Sequence, residues 1–230
     1  MAGMKFSVEL RSGTDVLWNA IQNHPFVQGI GRGDLDKDRW IYYLKQDYFY
    51  LIEMARSFGL ALTKAEQFAE MRFFAELLEA MIKIEMDIHR RNCAEFGITE
   101  ADLERTQPSL INVAYTNHLI RTAYEGRLAD ILTASMPCAG YVEIAERLKG
   151  KGLPDEPHYR NWIETYASPE FKAMVEWMKN TLDDLAAPAP AADRNRWSRI
   201  YLTSTRFELL FFDMSWNREE WPAIVPRLKE

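Results

Sequence analysis

Apolar side chains recur at three- and four-residue steps along almost the whole chain, the spacing that lines one face of a helix. Trp40, Tyr43, Leu44, Leu51, Met54 and Phe58 form one such stripe; Trp197, Tyr201, Ser204 and the run Phe207-Glu208-Leu209-Leu210-Phe211-Phe212 form another. No segment alternates apolar and polar residues between hairpin turns, which a strand with one buried face requires. The pattern predicts an all-α fold, with helices at about 5–23, 36–64, 66–96, 108–135, 138–149, 156–167, 169–186 and 193–217. Two starts have a local cause. Ser168-Pro169-Glu170 places a capping hydroxyl before a proline whose missing N–H would be unpaired anyway, and Met136-Pro137-Cys138 repeats the proline logic. Breaks are expected at 29–33, 150–157 and 186–192, none long enough for a domain linker, so the 230 residues form one helical domain. No repeat of fixed period is present.

Composition narrows the function classes. A hydrophobic fraction of 47% over 230 residues fits one large core. A net charge of −6 with both signs interspersed gives no electrostatic footprint for nucleic acid or anionic lipid. The longest apolar runs fall far short of the roughly 20 residues of a membrane span. The first residues lack the apolar stretch of a secretory signal, and two cysteines cannot make a disulfide framework, so a soluble protein in a reducing cytoplasm is expected.

Chemistry is best sought where a polar residue interrupts an apolar stripe, because a carboxylate facing a core must be paired, protonated or functional. Asp47 lies inside the first stripe beside Tyr50, and Glu208 lies inside the second. Taken singly, each could equally bond a buried tyrosine or cap another helix. Cys138 follows Pro137 in what should be the first turn of a helix, where free N–H groups favour a thiolate. Alone it also fits a small buried hydrophobe. Cys93 sits late in a helix with nothing to activate it and reads as packing or surface. Glu85 and His89, four residues apart, could with Asp47, Glu53 or Glu208 hold iron in a helical oxygenase or oxidase, although Glu85-Met-Asp-Ile-His-Arg-Arg reads mainly as a solvated face.

Longer motifs carry a resemblance. His24-Pro25-Phe26-Val27-Gln28-Gly29-Ile30-Gly31, followed by Trp40-Ile41-Tyr42-Tyr43-Leu44-Lys45-Gln46-Asp47-Tyr48-Phe49-Tyr50-Leu51, resembles the opening of the TenA family. Ala114-Tyr115-Thr116, Met136-Pro137-Cys138, Trp162-Ile163-Glu164-Thr165-Tyr166 and Phe207-Glu208-Leu209-Leu210-Phe211-Phe212 resemble its later landmarks in the same order. The resemblance implies a heme-oxygenase-like helical bundle, usually a homotetramer, without metal or organic cofactor. It implies that Cys138 is the nucleophile of the cysteine-bearing branch, thiaminase II, that Asp47 holds the amine and adjacent ring nitrogen of an aminopyrimidine, and that Glu208 protonates the opposite ring nitrogen. Tyr50 and Tyr115 then bond Glu208 and orient the nucleophile, while Tyr166 and Phe211 wall the ring.

The implied reaction is hydrolysis of thiamine, or of its breakdown product 4-amino-5-aminomethyl-2-methylpyrimidine, to the hydroxymethyl pyrimidine through a cysteine adduct. A pyrimidine-binding regulatory protein without turnover is the non-enzymatic alternative, though mere binding has no use for the thiol. Two positions depart from the family. Pro137-Cys138-Ala139-Gly140-Tyr141-Val142-Glu143-Ile144 is one residue shorter than the family's segment and lacks its Trp, which leaves open whether Tyr141 reaches the pocket. Phe212-Asp213 replaces an aromatic-Trp pair, with Trp216 one turn on and no chemistry attached.

Overall fold

A computed structural model describes residues 4–222, with the side chains of 84, 85 and 88 excepted. Among the described residues the regular structure is helical throughout, without a strand. The chain opens with α1 (Phe6–Ser12) and α2 (Asp15–Gln22) where the pattern predicts one helix over 5–23. The break falls at Gly13-Thr14, because the Thr14 hydroxyl turns back to donate to the carbonyls of Leu10 (3.2 Å) and Arg11 (3.0 Å). Helices of 7 and 8 residues are too short to persist alone. Burial of Phe6, Leu10, Trp18 and Ile21 holds them, each side chain contributing about 1.5–3 kcal/mol.

The expected break at 29–33 is instead mostly helix α3 (Pro25–Arg32). His24 caps its start, Nδ1 accepting the Phe26 N–H at 3.1 Å, with Pro25 in the first turn. Only Gly33 ends the helix, at φ +79°, where a side chain would be strained. Gly31 serves packing: a Cβ there would stand 2.6 Å from Leu148 Cδ2.

Next come α4 (Lys37–Lys64), capped by Asp36, and the run α5 (Phe68–Ala80), a π-helical turn (Met81–Glu85) and α6 (Met86–Glu95). The short α7 (Glu100–Glu104) lies where no helix is predicted, nucleated by the Thr99 hydroxyl accepting the Asp102 N–H at 3.1 Å. The helix predicted over 108–135 divides into α8 (Leu110–Glu125) and α9 (Leu128–Ser135), because Asp130 accepts the Arg127 N–H at 2.8 Å and starts a new helix there. A 3₁₀ turn (Met136–Cys138) leads directly into α10 (Ala139–Lys149), followed by α11 (Pro157–Tyr166), α12 (Pro169–Ala186) and α13 (Ala191–Asn217). Ser168 caps α12 as expected, its hydroxyl accepting the Phe171 N–H at 3.2 Å.

The two longest helices organise the core. α4 packs on α5, α6, α8 and α13, while α13 also runs along α2, α3, α8 and α9. Tyr43 and Tyr50 of α4 meet Phe211 of α13 edge-on, with ring centroids 6.0 and 5.5 Å apart. That contact brings the segments carrying Asp47 and Glu208 side by side.

Candidate active site

A cavity of about 220 Å³ lies between α4, the π turn, α6, the 3₁₀ turn, α10, α11, α12 and α13. Asp47 and Tyr50 from α4, Cys138 from the 3₁₀ turn, Tyr141 from α10, Tyr166 from α11 and Glu208 from α13 all line it. The thiol and both carboxyl groups therefore share one void. A larger hollow of about 550 Å³, walled by Lys64, Gln67, Arg127, Pro190 and Trp197 among others, contains none of these groups and no thiol, so volume does not locate the chemistry.

Glu208 is 3% exposed and held by two phenols: Tyr115 donates to Oε1 at 2.6 Å and Tyr141 to Oε2 at 2.9 Å. Burial pushes its pKa up to about 7 against the opposing pull of those two hydrogen bonds. The net penalty on the charged form is about 3 kcal/mol. At neutral pH this carboxyl is thus poised to hold or give a proton. Tyr115 is fixed in turn by stacking on Phe207 (5.2 Å) and by contact with Tyr50 (5.2 Å).

The shortened segment after Cys138 still delivers Tyr141 to the cavity. The tight 3₁₀ winding flows into α10, and Gly140 lets the backbone press on Trp18, whose ring would meet a Cβ at 1.9 Å. The Tyr141 ring lies 4.8 Å from Tyr166 and 5.9 Å from Trp162.

Cys138 requires a correction. The expected open helix start, with free N–H groups favouring a thiolate, does not exist: Ser135 and Cys138 both have right-handed helical backbones and the chain passes from α9 into α10 without a gap. Burial, followed by the nearby Glu208, pushes the thiol up to about 12. Cys138 is a thiol at rest. Cys93 is fully buried, does not line the cavity, and is likewise pushed up to about 12 by burial.

Tyr115 and Phe211 stand behind the cavity surface. Phe211, expected as a wall of the ring site, backs Tyr43 and Tyr50. Several lining residues escaped the sequence analysis: Tyr43, whose hydroxyl accepts the Trp162 Nε1–H at 3.2 Å, and the polar group Asn92, His158, Asn161 and Thr165. Asn161 and Thr165 are four residues apart on α11, a spacing that could have marked them. Asp213, given no role from sequence, lies 3.1 Å from His24 Nε2 and ties the cap of α3 to α13.

His89 also lines the cavity, buried, with Nε2 2.9 Å from the Leu44 carbonyl and Nδ1 3.9 Å from Asp47 Oδ2. The Glu85 side chain lies outside the described residues. Among the described residues no three His, Cys, Asp or Glu side chains converge as a metal site requires, and Glu53 is paired with Arg56. No described helix is long and apolar enough to cross a membrane.

Comparison with known proteins follows the same lines. An aminopyrimidine aminohydrolase of Halalkalibacterium halodurans is 39% identical over 95% of this chain and 98% of its own. The solved TenA homologue of P. horikoshii OT3 superposes with a TM-score of 0.86 at 29% identity, covering 93% of this chain and 99% of that one. A Shewanella denitrificans domain with a heme oxygenase-like fold gives a TM-score of 0.72 at 14% identity over 92% of each chain, a likeness of fold alone. The model of the TENA/THI-4/PQQC family matches residues 12–218, and the chain belongs to that family.

Proposed function

We propose that the protein is an aminopyrimidine aminohydrolase of the thiaminase II type. It converts thiamine, or 4-amino-5-aminomethyl-2-methylpyrimidine, to the hydroxymethyl pyrimidine. The observation that carries this reading is one cavity lined by a thiol and two carboxyl groups, one of them with a pKa of about 7. A volume of about 220 Å³ is below the roughly 300–1,000 Å³ of pockets for drug-sized ligands, and suits a single flat ring. Tyr141, Trp162 and Tyr166 offer aromatic faces for stacking.

In this mechanism Asp47 accepts hydrogen bonds along the amine edge of the pyrimidine, and Glu208 gives its proton to the opposite ring nitrogen. Protonation makes the ring an electrophile. Burial and the nearby Glu208 hold Cys138 as the thiol, so its proton must leave when the sulfur attacks. The S–H proton passes to the Glu208 carboxylate as the C–S bond forms, so S–H adds across a ring C=N bond with the proton relayed through Glu208. The adduct expels the substituent on the exocyclic methylene as ammonia or thiazole. Water adds at that carbon, the C–S bond breaks, and the thiol regains its proton.

The same reading includes a cytoplasmic protein acting as one domain and assembling as a homotetramer. Phe68, 78% exposed, and Ile82, 59% exposed, are apolar surface that assembly would cover. Incubating the protein with thiamine and with the aminomethyl pyrimidine, and quantifying hydroxymethyl pyrimidine, tests the activity. Product from either compound supports it, and product from neither contradicts it.

A further inference from the structure

The cavity opens to solvent along one edge. Of its described lining residues only Asn161 and Thr165, one turn apart on α11, are exposed, whereas Glu208, Tyr43 and Trp162 are buried. Asn92 of α6 is half-buried and lines the same cavity. His158 ties the end of α6 to the start of α11, its Nε2 3.5 Å from Glu95 Oε2 and its ring 4.4 Å from Phe96. Asn92 lies one turn before that contact on α6, and Asn161 one turn after it on α11. The carboxamides of Asn92 and Asn161 and the Thr165 hydroxyl bond to no other described residue, and the chemistry at the ring gives them no task. A cavity of about 220 Å³ that suits a single flat ring has no room for a second ring in its depth. The thiazole of thiamine must therefore lie at this edge. The edge is polar without being basic: among the described residues two carboxyl groups line the cavity and no Lys or Arg does. Amide and hydroxyl oxygens suit a thiazolium cation, and the same groups exchange hydrogen bonds with its hydroxyethyl arm. An anionic arm finds no countercharge there.

We propose that Asn92, Asn161 and Thr165 form a leaving-group subsite at the mouth of the cavity, which takes the thiazolium half of thiamine and rejects its phosphate ester. The proposal rests on the aminopyrimidine reading and deepens it. The amine of the aminomethyl compound is one nitrogen and stops short of the mouth, so these three residues act on thiamine alone.

The test is calorimetric binding of thiamine, thiamine monophosphate and 4-amino-2,5-dimethylpyrimidine, which is the pyrimidine half alone, in a Cys138→Ser background that blocks turnover. Leucine keeps the approximate size of asparagine and loses its hydrogen bonds. Asn92→Leu combined with Asn161→Leu is expected to lower the affinity for thiamine relative to the dimethyl compound by about tenfold, the worth of two neutral hydrogen bonds. An unchanged ratio overturns the proposal. Should the double variant fail to fold, Asn161→Leu alone decides, because that side chain is exposed and bonds to no other described residue: the ratio should fall by about threefold, and a constant ratio overturns the subsite. The parent should bind the monophosphate at least about tenfold more weakly than thiamine, and Thr165→Lys should narrow that gap by supplying the missing cation. Equal affinity of the parent for thiamine and its monophosphate also overturns the proposal. Product formation by the unsubstituted protein is read separately. Turnover with an unchanged binding ratio removes the subsite alone, the expected ratio without turnover removes hydrolysis alone, and no binding of thiamine or of the dimethyl compound removes both.

Discussion

Burial and two phenols act on Glu208 in opposite directions, and burial wins, leaving the carboxyl near 7. The acid form is the one that donates, so kcat/KM should fall as pH rises through about 7. A steady-state pH profile checks this, and Glu208→Gln should abolish that limb along with most of the rate. Tyr141→Phe removes a hydrogen bond that holds the pKa down, so the limb should move to higher pH. An unshifted limb would show that the phenol does not act through Glu208. Asp47→Asn should raise KM and lower kcat together, because a neutral amide oxygen accepts the amine hydrogen bond more weakly than a charged carboxylate does; unchanged substrate affinity would contradict the anchoring role. Sequence pattern alone exposed both acids, since a carboxylate inside an apolar stripe is conspicuous. It could not expose the state of Cys138, because a proline before a cysteine looks the same whether the helix starts there or continues from α9.

The 3₁₀ turn and α10 show how an element positions chemistry. Gly140 lies against Trp18 with no room for a methyl group, so Gly140→Ala should push the turn away and displace both Cys138 and Tyr141. Overpacking of this kind costs about 1–3 kcal/mol, visible as a lower Tm together with reduced activity. A variant with unchanged Tm and rate would mean that the contact positions nothing. Glycine also explains where the helix boundaries were legible. The long stripes over 36–64 and 193–217 predict α4 and α13 within a few residues, because burial repeats there every turn. Gly31 reads as a break, yet it lies inside α3 to admit Leu148. Gly126, between α8 and α9, falls in an apolar pattern that reads as unbroken. A one-dimensional pattern does not distinguish a glycine that ends a helix from one that lets a neighbour approach. The polar cluster Asn92, His158 and Asn161 was hidden for a related reason, since its members come from α6 and α11 and meet only in the folded cavity.

At the scale of the molecule, the buried acid couples activity to stability. A carboxyl whose pKa rises from 4.5 to about 7 on folding contributes stability that is fully present below pH 4.5 and lost as pH rises through about 7. The buried His24, His89 and His118 are lowered by burial and act with the opposite slope below 6.5. Their effect is common to the parent and to Glu208→Gln, so it cancels in the difference. The stability of Glu208→Gln relative to the parent should therefore increase between pH 4.5 and about 7 and level off above, as read from denaturant melts across that range. A constant difference would mean that Glu208 does not titrate in this window. The central claim is that Cys138, Asp47 and Glu208 act together on one ring in one cavity, and turnover by Cys138→Ser tests it most directly. Release of hydroxymethyl pyrimidine from the aminomethyl compound is expected to fall by roughly 10³-fold or more while binding of that compound changes only a few-fold, as loss of a nucleophile requires. Undiminished release by Cys138→Ser would contradict it.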